Sequence, residues 1–337
     1  MTEKNNNPLS FSLIIPVFNR PDEIEELLES LENQTERNFE IVIVEDGSEI
    51  KCDNIVKKYS DNLNIKYFYK ENSGPGTSRN YGAERANGNY FIFLDSDCII
   101  PEKYIETVTK HLKKNYTDAY GGPDRAHESF SNFQKAVNYS MTSFFTTGGI
   151  RGKSEKMDKF YPRSFNMGYS KDVFQKTGGF SKMRFGEDID MSIRILKNNF
   201  KTQLIKDAFV YHKRRTSIKQ FFKQVYNSGI ARINLYKKYP ESLKLVHTFP
   251  SFFVIGIIFI LISSVIFPVL LFFILLHIFS VFIDSSIKNK SIVIGFLSIL
   301  TSYIQFFGYG FGFIIAFFKR VVFKKKEFDA FNKTFYN

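Results

Sequence analysis

The 337-residue chain has no tryptophan, only two cysteines, and 34 acidic residues against 46 basic ones. Each shortage excludes something. Cys52 and Cys98 cannot build a disulfide framework, and both fit a reducing compartment. Cys98 follows an acidic pair, and because a neighbouring carboxylate disfavours thiolate it reads as a packed thiol. Without Trp, an aromatic belt at a membrane surface must use Tyr and Phe. Met1 to Ser10 is polar, with three consecutive Asn, and predicts no signal peptide. The net charge of +12 raises nucleic acid as a partner. No recognised nucleic-acid module is present, however, so no nucleic acid is expected.

The basic residues crowd the apolar segments instead. Lys213 to Thr248 holds nine Lys or Arg and one acid, Glu241, and Lys319 to Asn337 holds six and two. Such flanks mark the cytoplasmic side of a membrane protein and attract anionic lipid. Phe249 to Ile283 carries no charged side chain apart from His277. At 35 residues it is too long for one crossing and fits two short ones, with Pro268 as the break. Ile292 to Phe318 is a third apolar run. Three runs give an odd number of crossings, whereas a cytoplasmic domain and a cytoplasmic basic tail need an even one. Either one run is re-entrant or interfacial, or the tail lies outside, and the Gly-rich Phe307 to Phe313 makes the last run the expected exception. Ser217 to Tyr236 is a basic amphipathic helix that either packs on the domain or lies in the membrane interface, and its place just before the first apolar run favours the interface.

The N-terminal portion reads as α/β. Phe11 to Phe18 is a first strand. Pro21 opens a helix whose stripe is Ile24, Leu27, Leu28 and Leu31. Phe39 to Val44 and Ile65 to Tyr69 are further strands, followed by a Gly- and Pro-rich turn at Asn72 to Gly76. Thr77 to Ala86 is helical, Asn89 to Leu94 is a fourth strand, and Pro101 to Lys114 is another helix. Gly121 to Tyr161 is expected to be irregular, a mobile loop over a site. A helix begins near Gly186 and runs to Asn199, and Thr202 to Tyr211 gives one or two short strands. Alternating strands and helices predict a mostly parallel, Rossmann-like sheet covered on both faces.

The most informative stretch is Phe91 to Asp97, FIFLDSD. Four apolar residues end in two carboxylates separated by Ser96. If strand geometry persists, Asp95 and Asp97 project the same way. At the carboxyl end of a parallel strand they face the crevice where open α/β sheets bind ligands. Two hard oxygen donors there can hold Mg²⁺ or Mn²⁺ against a diphosphate. A solvated Asp-Ser-Asp turn is the plainer alternative. Further signals sit at strand ends: IIPVFN (Ile14 to Asn19), VEDGS (Val44 to Ser48), NSGPGTSRNYG (Asn72 to Gly82), GGF (Gly178 to Phe180) and GEDID (Gly186 to Asp190).

In this order and spacing these motifs resemble the family 2 glycosyltransferases, which have the GT-A fold. The resemblance covers Phe11 to about Gly229. It implies a GT-A catalytic domain over residues 1–212 and a basic interface helix and linker over 213–248. An α-helical membrane region of two to three transmembrane helices over 249–318 and a basic cytoplasmic tail over 319–337 would follow. It implies that Pro16 and Phe18 line the nucleobase pocket, that Asp46 accepts a hydrogen bond from the base, and that Arg79 offsets diphosphate charge. Asp46 before Gly47 could equally cap a turn. Asp97 is the stronger metal ligand, with Asp95 and Ser96 nearer the ribose and metal-bound waters. His212, in VYHKRR, could complete the metal shell. Asp188 matches the catalytic base, while Asp190 is structural. Glu187 and Asp188 also suit a helix N-terminus. Gln224 is similar to the Gln of processive members, but the Arg-Trp that should follow is absent, which argues against a polymer-extruding synthase.

The implied activity is metal-dependent, inverting transfer of a sugar from a nucleotide-sugar, UDP-linked, to a glycan or lipid-linked acceptor. It would occur at the cytoplasmic face of the inner (plasma) membrane, in cell-surface polysaccharide or glycoconjugate synthesis. The alternatives are direct transfer to polyprenyl phosphate and a non-catalytic membrane scaffold that binds nucleotide-sugars. A sugar nucleotidyltransferase ranks last, because no Gly-rich loop with basic residues serves a triphosphate.

Overall fold

The computed structural model describes residues 8–147, 160–183 and 185–326. The chain begins with β1 (Phe11–Val17), α1 (Pro21–Glu32), β2 (Phe39–Asp46), α2 (Asp53–Tyr59), β3 (Ile65–Lys70), α3 (Pro75–Arg85) and β4 (Tyr90–Leu94). Next come β5 (Cys98–Ile99), α4 (Tyr104–Lys114), β6 (Ala119–Gly121), β7 (Asp124–Arg125), α5 (Asn132–Thr142), α6 (Phe144–Thr147), β8 (Asn166–Ser170) and α7 (Lys171–Thr177). It ends with α8 (Glu187–Lys197), β9 (Thr202–Leu204), β10 (Val210–His212), α9 (Ile218–Lys238), α10 (Phe249–Ser263), α11 (Leu271–Asn289) and α12 (Ile292–Phe317). The described residues fall into two compact units, one of residues 8–125 and 160–212, the other of 126–147 and 213–326.

In the first unit a seven-stranded sheet has the order β3-β2-β1-β4-β8-β6-β9. The strands β3, β2, β1 and β4 are parallel, and β8 runs antiparallel to both β4 and β6. The central strands are apolar along nearly their whole length because both faces are covered. Alternation divides them cleanly. Leu13, Ile15, Ile41, Ile43, Ile92 and Leu94 pack with Ile24, Leu27 and Leu28 of α1 and Ile105 and Val108 of α4. Ile14, Val42, Val44, Phe91 and Phe93 pack on the other face with Ala83 of α3, Val173 of α7 and Met191 and Ile195 of α8. Gly82 lets α3 sit close, since a Cβ there would lie 2.7 Å from Ile14 Cγ2. The strand register brings the carboxyl ends of β1, β2 and β4 to one edge.

A small second sheet, β5-β10-β7, completes that edge. There β10 pairs antiparallel with β5, placing His212 opposite Cys98.

The second unit corrects two expectations. Residues 126–147, expected within the catalytic domain and as irregular structure, form α5 and α6 and pack with the C-terminal helices. Ser131 and Gln134 make a reciprocal capping box that starts α5. Val137 and Met141 then bury against Phe221 and Val225 of α9. The rest of the expected loop, 148–159, lies outside the described residues. The second correction concerns α9. Much of its apolar face is taken by protein, because Phe221, Val225, Gly229, Ile233 and Leu235 are buried, while Ile218 and Phe222 stay exposed.

The cover of α9 is α12, an unbroken helix of 26 residues through the Gly-rich stretch. The glycines serve close packing. A Cβ at Gly308 would lie 2.4 Å from Val225, one at Gly312 2.1 Å from the Tyr226 carbonyl, and one at Gly229 2.3 Å from the Tyr309 carbonyl. The Phe249 to Ile283 run does divide as expected. The helix α10 ends at Ser263, a short 3₁₀ turn spans Pro268–Leu270, and α11 follows. Three segments, Leu245–Ser263, Pro268–Asn289 and Ile292–Val322, are long and apolar enough to cross a membrane.

Candidate active site

The strand β4 ends at Leu94, and Asp95, Ser96 and Asp97 form a turn closed by the Cys98 amide donating to the Asp95 carbonyl at 3.2 Å. The two carboxylates therefore converge through a turn rather than through strand alternation. Asp97 accepts from Arg20 Nη1 at 2.7 Å and lies 3.1 Å from His212 Nε2, while Asp95 Oδ2 is 3.9 Å from the same nitrogen. The His212 ring stacks on Phe165, with centroids 5.1 Å apart, which fixes its plane. Ser96 is buried beneath the turn.

Donor atoms of Asp97, Cys98 and His212 lie within 4.8 Å of one another. Burial first, then Asp97 and Asp95, push the Cys98 thiol well above its ordinary range, so Cys98 packs rather than ligates. What remains is an oxygen and imidazole set of Asp97, Asp95 and His212, a donor chemistry that fits Mn²⁺ or Mg²⁺.

Asp95 is held by Arg79, which reaches in from α3 at 2.6 Å and also touches Glu187 Oε1 at 3.3 Å. Arg79 is 3% exposed and lies over the Phe180 ring. The Gly178 to Phe180 turn is fastened to α3 by Asn80, which donates to the Phe180 carbonyl and accepts from its amide. Gly76 gives room for the neighbouring helix start, since its Cβ would lie 3.3 Å from Glu187 Cγ.

At the N-terminus of α8 the two acids are treated differently. Burial pushes Asp188 up, but Arg163 Nε at 2.5 Å and the Ile189 amide at 2.8 Å outweigh it and hold the carboxyl below its usual range. Burial and the Asp188 charge push Glu187 up to about 7, with Arg79 offsetting only part. Arg163 arrives here because β8 is antiparallel. Asn166 pairs with Leu94, so the segment before it lies at the carboxyl edge. Asp190 is fully buried and binds Arg194, whose other nitrogens donate to the Thr177 and Gly179 carbonyls. Asp190 thus organises a turn.

At the end of β2, Asp46 pairs with Lys70 and accepts from the Ser73 and Gly74 amides at 2.9 Å each. It pins the turn that starts α3. Glu45 accepts from Ser48, from the Cys52 amide and thiol, and from Tyr67. Pro16 lies in β1, and Phe18 follows it, half-buried. Asn19 has φ +51°. Its amide donates to Ser48 Oγ, and its side-chain oxygen accepts from the Glu49 and Ile50 amides. The loops after β1 and β2 are therefore tied together.

Residues 12–178 match the sequence model of Glycosyl transferase family 2. The chain carries a family 2 glycosyltransferase domain. An uncharacterized glycosyltransferase of Rickettsia bellii is 38% identical over 104 residues, covering 31% of this chain and 15% of that protein. The minor teichoic acid biosynthesis protein GgaB of Bacillus subtilis is 29% identical over 220 residues, covering 64% of this chain and 24% of that one. The chain thus spans a quarter or less of either relative. Among solved structures, a Pyrobaculum calidifontis mannosyltransferase in complex with GDP-Man and Mn²⁺ superposes with a TM-score of 0.63 at 13% identity. That match covers 90% of this chain and 88% of the other, and it establishes the GT-A fold. The apolar helices C-terminal to this domain fit transmembrane segments.

Sequence reasoning missed three cations of the family 2 site, Arg20, Lys70 and Arg163. Arg20 had a signal, since it directly follows the first strand in VFNRP. Lys70 likewise ends the third strand. Arg163 had none, because only the antiparallel turn of β8 brings it in.

Proposed function

We propose that this family 2 protein transfers a sugar, with inversion, from a nucleotide-sugar to an acceptor at the cytoplasmic membrane face. The donor in this proposal is UDP-linked, and the acceptor is a glycan or lipid-linked glycan of a cell-surface polysaccharide. The observation that carries the reading is a cluster of charged groups within a single unit. Close contacts link Arg20, Asp97, His212, Asp95, Arg79 and Glu187 in turn, and Asp188, the like-charged neighbour of Glu187, pairs with Arg163. Residues suited to a diphosphate and a residue suited to an acceptor hydroxyl thereby share one edge of the sheet. The named role of GgaB in teichoic acid biosynthesis supports the polysaccharide setting.

In this reading Asp188 takes the proton from the acceptor hydroxyl as it attacks the anomeric carbon. A carboxylate held ionised by Arg163 needs little intrinsic basicity, because the hydroxyl becomes acidic only as its new bond forms. Arg79 and Arg20 offset charge on the departing nucleotide diphosphate. A divalent ion held by Asp97, Asp95 and His212 would supply further positive charge there when bound. Pro16, Phe18 and Ser96 border the nucleoside, and Asp46 shapes that pocket through the turn it pins.

The test is Asp188→Asn. Transfer should fall by about 10²- to 10⁴-fold, while calorimetry shows the nucleotide still binding. Unchanged turnover removes Asp188 from this role.

The pairing of Asp188 with Arg163 also favours a second reading. An acceptor that is already ionised, a polyprenyl phosphate, needs no base, and Arg163 could bind its phosphate. In that case Asp188→Asn leaves turnover with polyprenyl phosphate nearly intact, and Arg163→Gln abolishes it. Absence of both transfer and donor hydrolysis, with Mn²⁺ present, would leave only a nucleotide-sugar-binding scaffold.

A further inference from the structure

The link between α10 and α11 is apolar and open. Val265 is 84% exposed, Ile266 and Val269 74% each, and Phe267 60%. A helical pair that crosses a bilayer completely must place its turn among the headgroups and water of the far side. This turn has nothing to offer there. It carries no charge, and the Ser264 hydroxyl donates back to the Leu261 carbonyl at 2.8 Å. Its backbone is largely satisfied from within. The amides of Ser264, Val265, Ile266, Phe267 and Leu270 all donate to carbonyls between Ile260 and Phe267, and Pro268 has no N–H. That lowers the penalty for placing a non-helical link in hydrocarbon.

Length admits either course. The uncharged limb of α11 runs from Leu271 to Ile283, 13 residues, or about 20 Å at the α-helical rise, whereas the whole apolar segments Leu245–Ser263 and Pro268–Asn289 have 19 and 22 residues, enough for a hydrocarbon layer roughly 30 Å thick. The uncharged tip decides between the two. Asp284 marks where the α11 limb leaves the hydrocarbon, since its carboxylate accepts from Tyr139 of α5 at 2.7 Å and from Lys288 at 2.8 Å. Exposed lysines flank both limbs, Lys244 before α10 and Lys288 after Asp284. A basic rim with an uncharged apolar tip is complementary to anionic headgroups over hydrocarbon.

We propose that α10 and α11 form a re-entrant hairpin. It enters and leaves a lipid bilayer by the same face, and its tip at Val265 to Pro268 stops within the hydrocarbon. This moves the exception expected for the last apolar run to the first two.

The absence of Trp makes the test direct. In Phe267→Trp the new side chain is the sole tryptophan, and the site is exposed enough to accept it. The full chain is reconstituted into vesicles whose lipids carry bromine at defined depths. A re-entrant tip gives blue-shifted emission quenched most by deeply placed bromine and untouched by aqueous iodide. Ile266→Trp repeats the reading if the first variant folds poorly. Cysteine labelling provides a second measurement, because Cys52 and Cys98 are each 1% exposed. With an impermeant maleimide, Lys244→Cys and Lys290→Cys should label from one and the same face, and Ser264→Cys from neither. Labelling of Ser264→Cys from the opposite face shows a complete crossing and overturns the proposal. Iodide quenching shows that the tip is in water and overturns it as well. Quenching by neither probe shows the tip buried in a second copy and has the same effect. None of these readings depends on glycosyl transfer.

Discussion

Replacing Glu187 by Gln should stabilise the protein at neutral pH and above. The carboxyl is pushed to about 7 in the fold, against an ordinary value of 4.5. A group raised in this way favours the folded state most below its unfolded pKa, and that contribution is lost as pH rises through the folded one. Wild type should therefore lose stability between about pH 4.5 and 7.5. At 1.36 kcal/mol per pKa unit the loss is at most about 3 kcal/mol, and sharing with Asp188 brings it nearer 2. Gln keeps the shape and removes the buried charge, so the variant should unfold some 4–8 °C higher at pH 8, given roughly 2–4 °C per kcal/mol for a unit of this size. The assay is thermal unfolding of the detergent-solubilised full chain at several pH values. Arg79 remains paired with Asp95 in the variant, so the comparison isolates one carboxyl. Parallel curves for wild type and variant from pH 5 to 8 would refute the assignment. So would a variant less stable at pH 8, which would mean that Arg79 depends on the Glu187 charge.

Arg163→Gln removes the cation that holds Asp188 down, so the acid limb of the kcat/KM profile should move to higher pH. An unmoved limb would show that another group titrates there. Arg20→Ala frees the Asp97 carboxylate from its 2.7 Å partner, and Mn²⁺, followed by electron paramagnetic resonance, should bind several-fold tighter. Weaker binding would mean that Arg20 positions Asp97 rather than competing for it. Glu40→Ala removes the acceptor shared by Ser12, Lys66 and the Asn87 amide. Because Lys66 is partly exposed and can be solvated, losing the pair and its hydrogen bonds should cost about 1–3 kcal/mol in denaturant unfolding. Gly312→Ala drives a Cβ against the Tyr226 carbonyl and should make α9 protease-sensitive, whereas Gly256→Ala, which meets nothing within 4 Å, should not.

The parallel half of the fold was legible because its signals are local. Apolar runs such as Leu13 to Val17 and Phe91 to Leu94 are buried on both faces, and a helix opens at Pro21, while α3 begins at Pro75, two residues before the expected Thr77. The carboxylates at strand ends are local signals of the same kind, whereas His212 was pointed to by the family resemblance and lies at the end of β10. What could not be read was long-range. Strand alternation suggested how Asp95 and Asp97 meet, but the turn after Leu94 does it. Nothing near Arg163 in sequence says that it meets Asp188, 25 residues later, because that contact depends on the antiparallel β8. The amphipathic pattern of α9 was correctly seen. Its partner could not be chosen, since a helix face built for lipid and one built for another helix carry the same residues. The glycines of α12, which decide that case, look like a helix breaker until Tyr226 and Val225 are seen against them.

Asn19 adopts left-handed backbone and stitches the loop after the first strand to the loop after the second. Three hydrogen bonds of Asn19 brace the two loops against each other. If they border the nucleoside as proposed above, a substitution at Phe18 should also disturb the Ser48 loop, and altered donor choice should need changes in both segments.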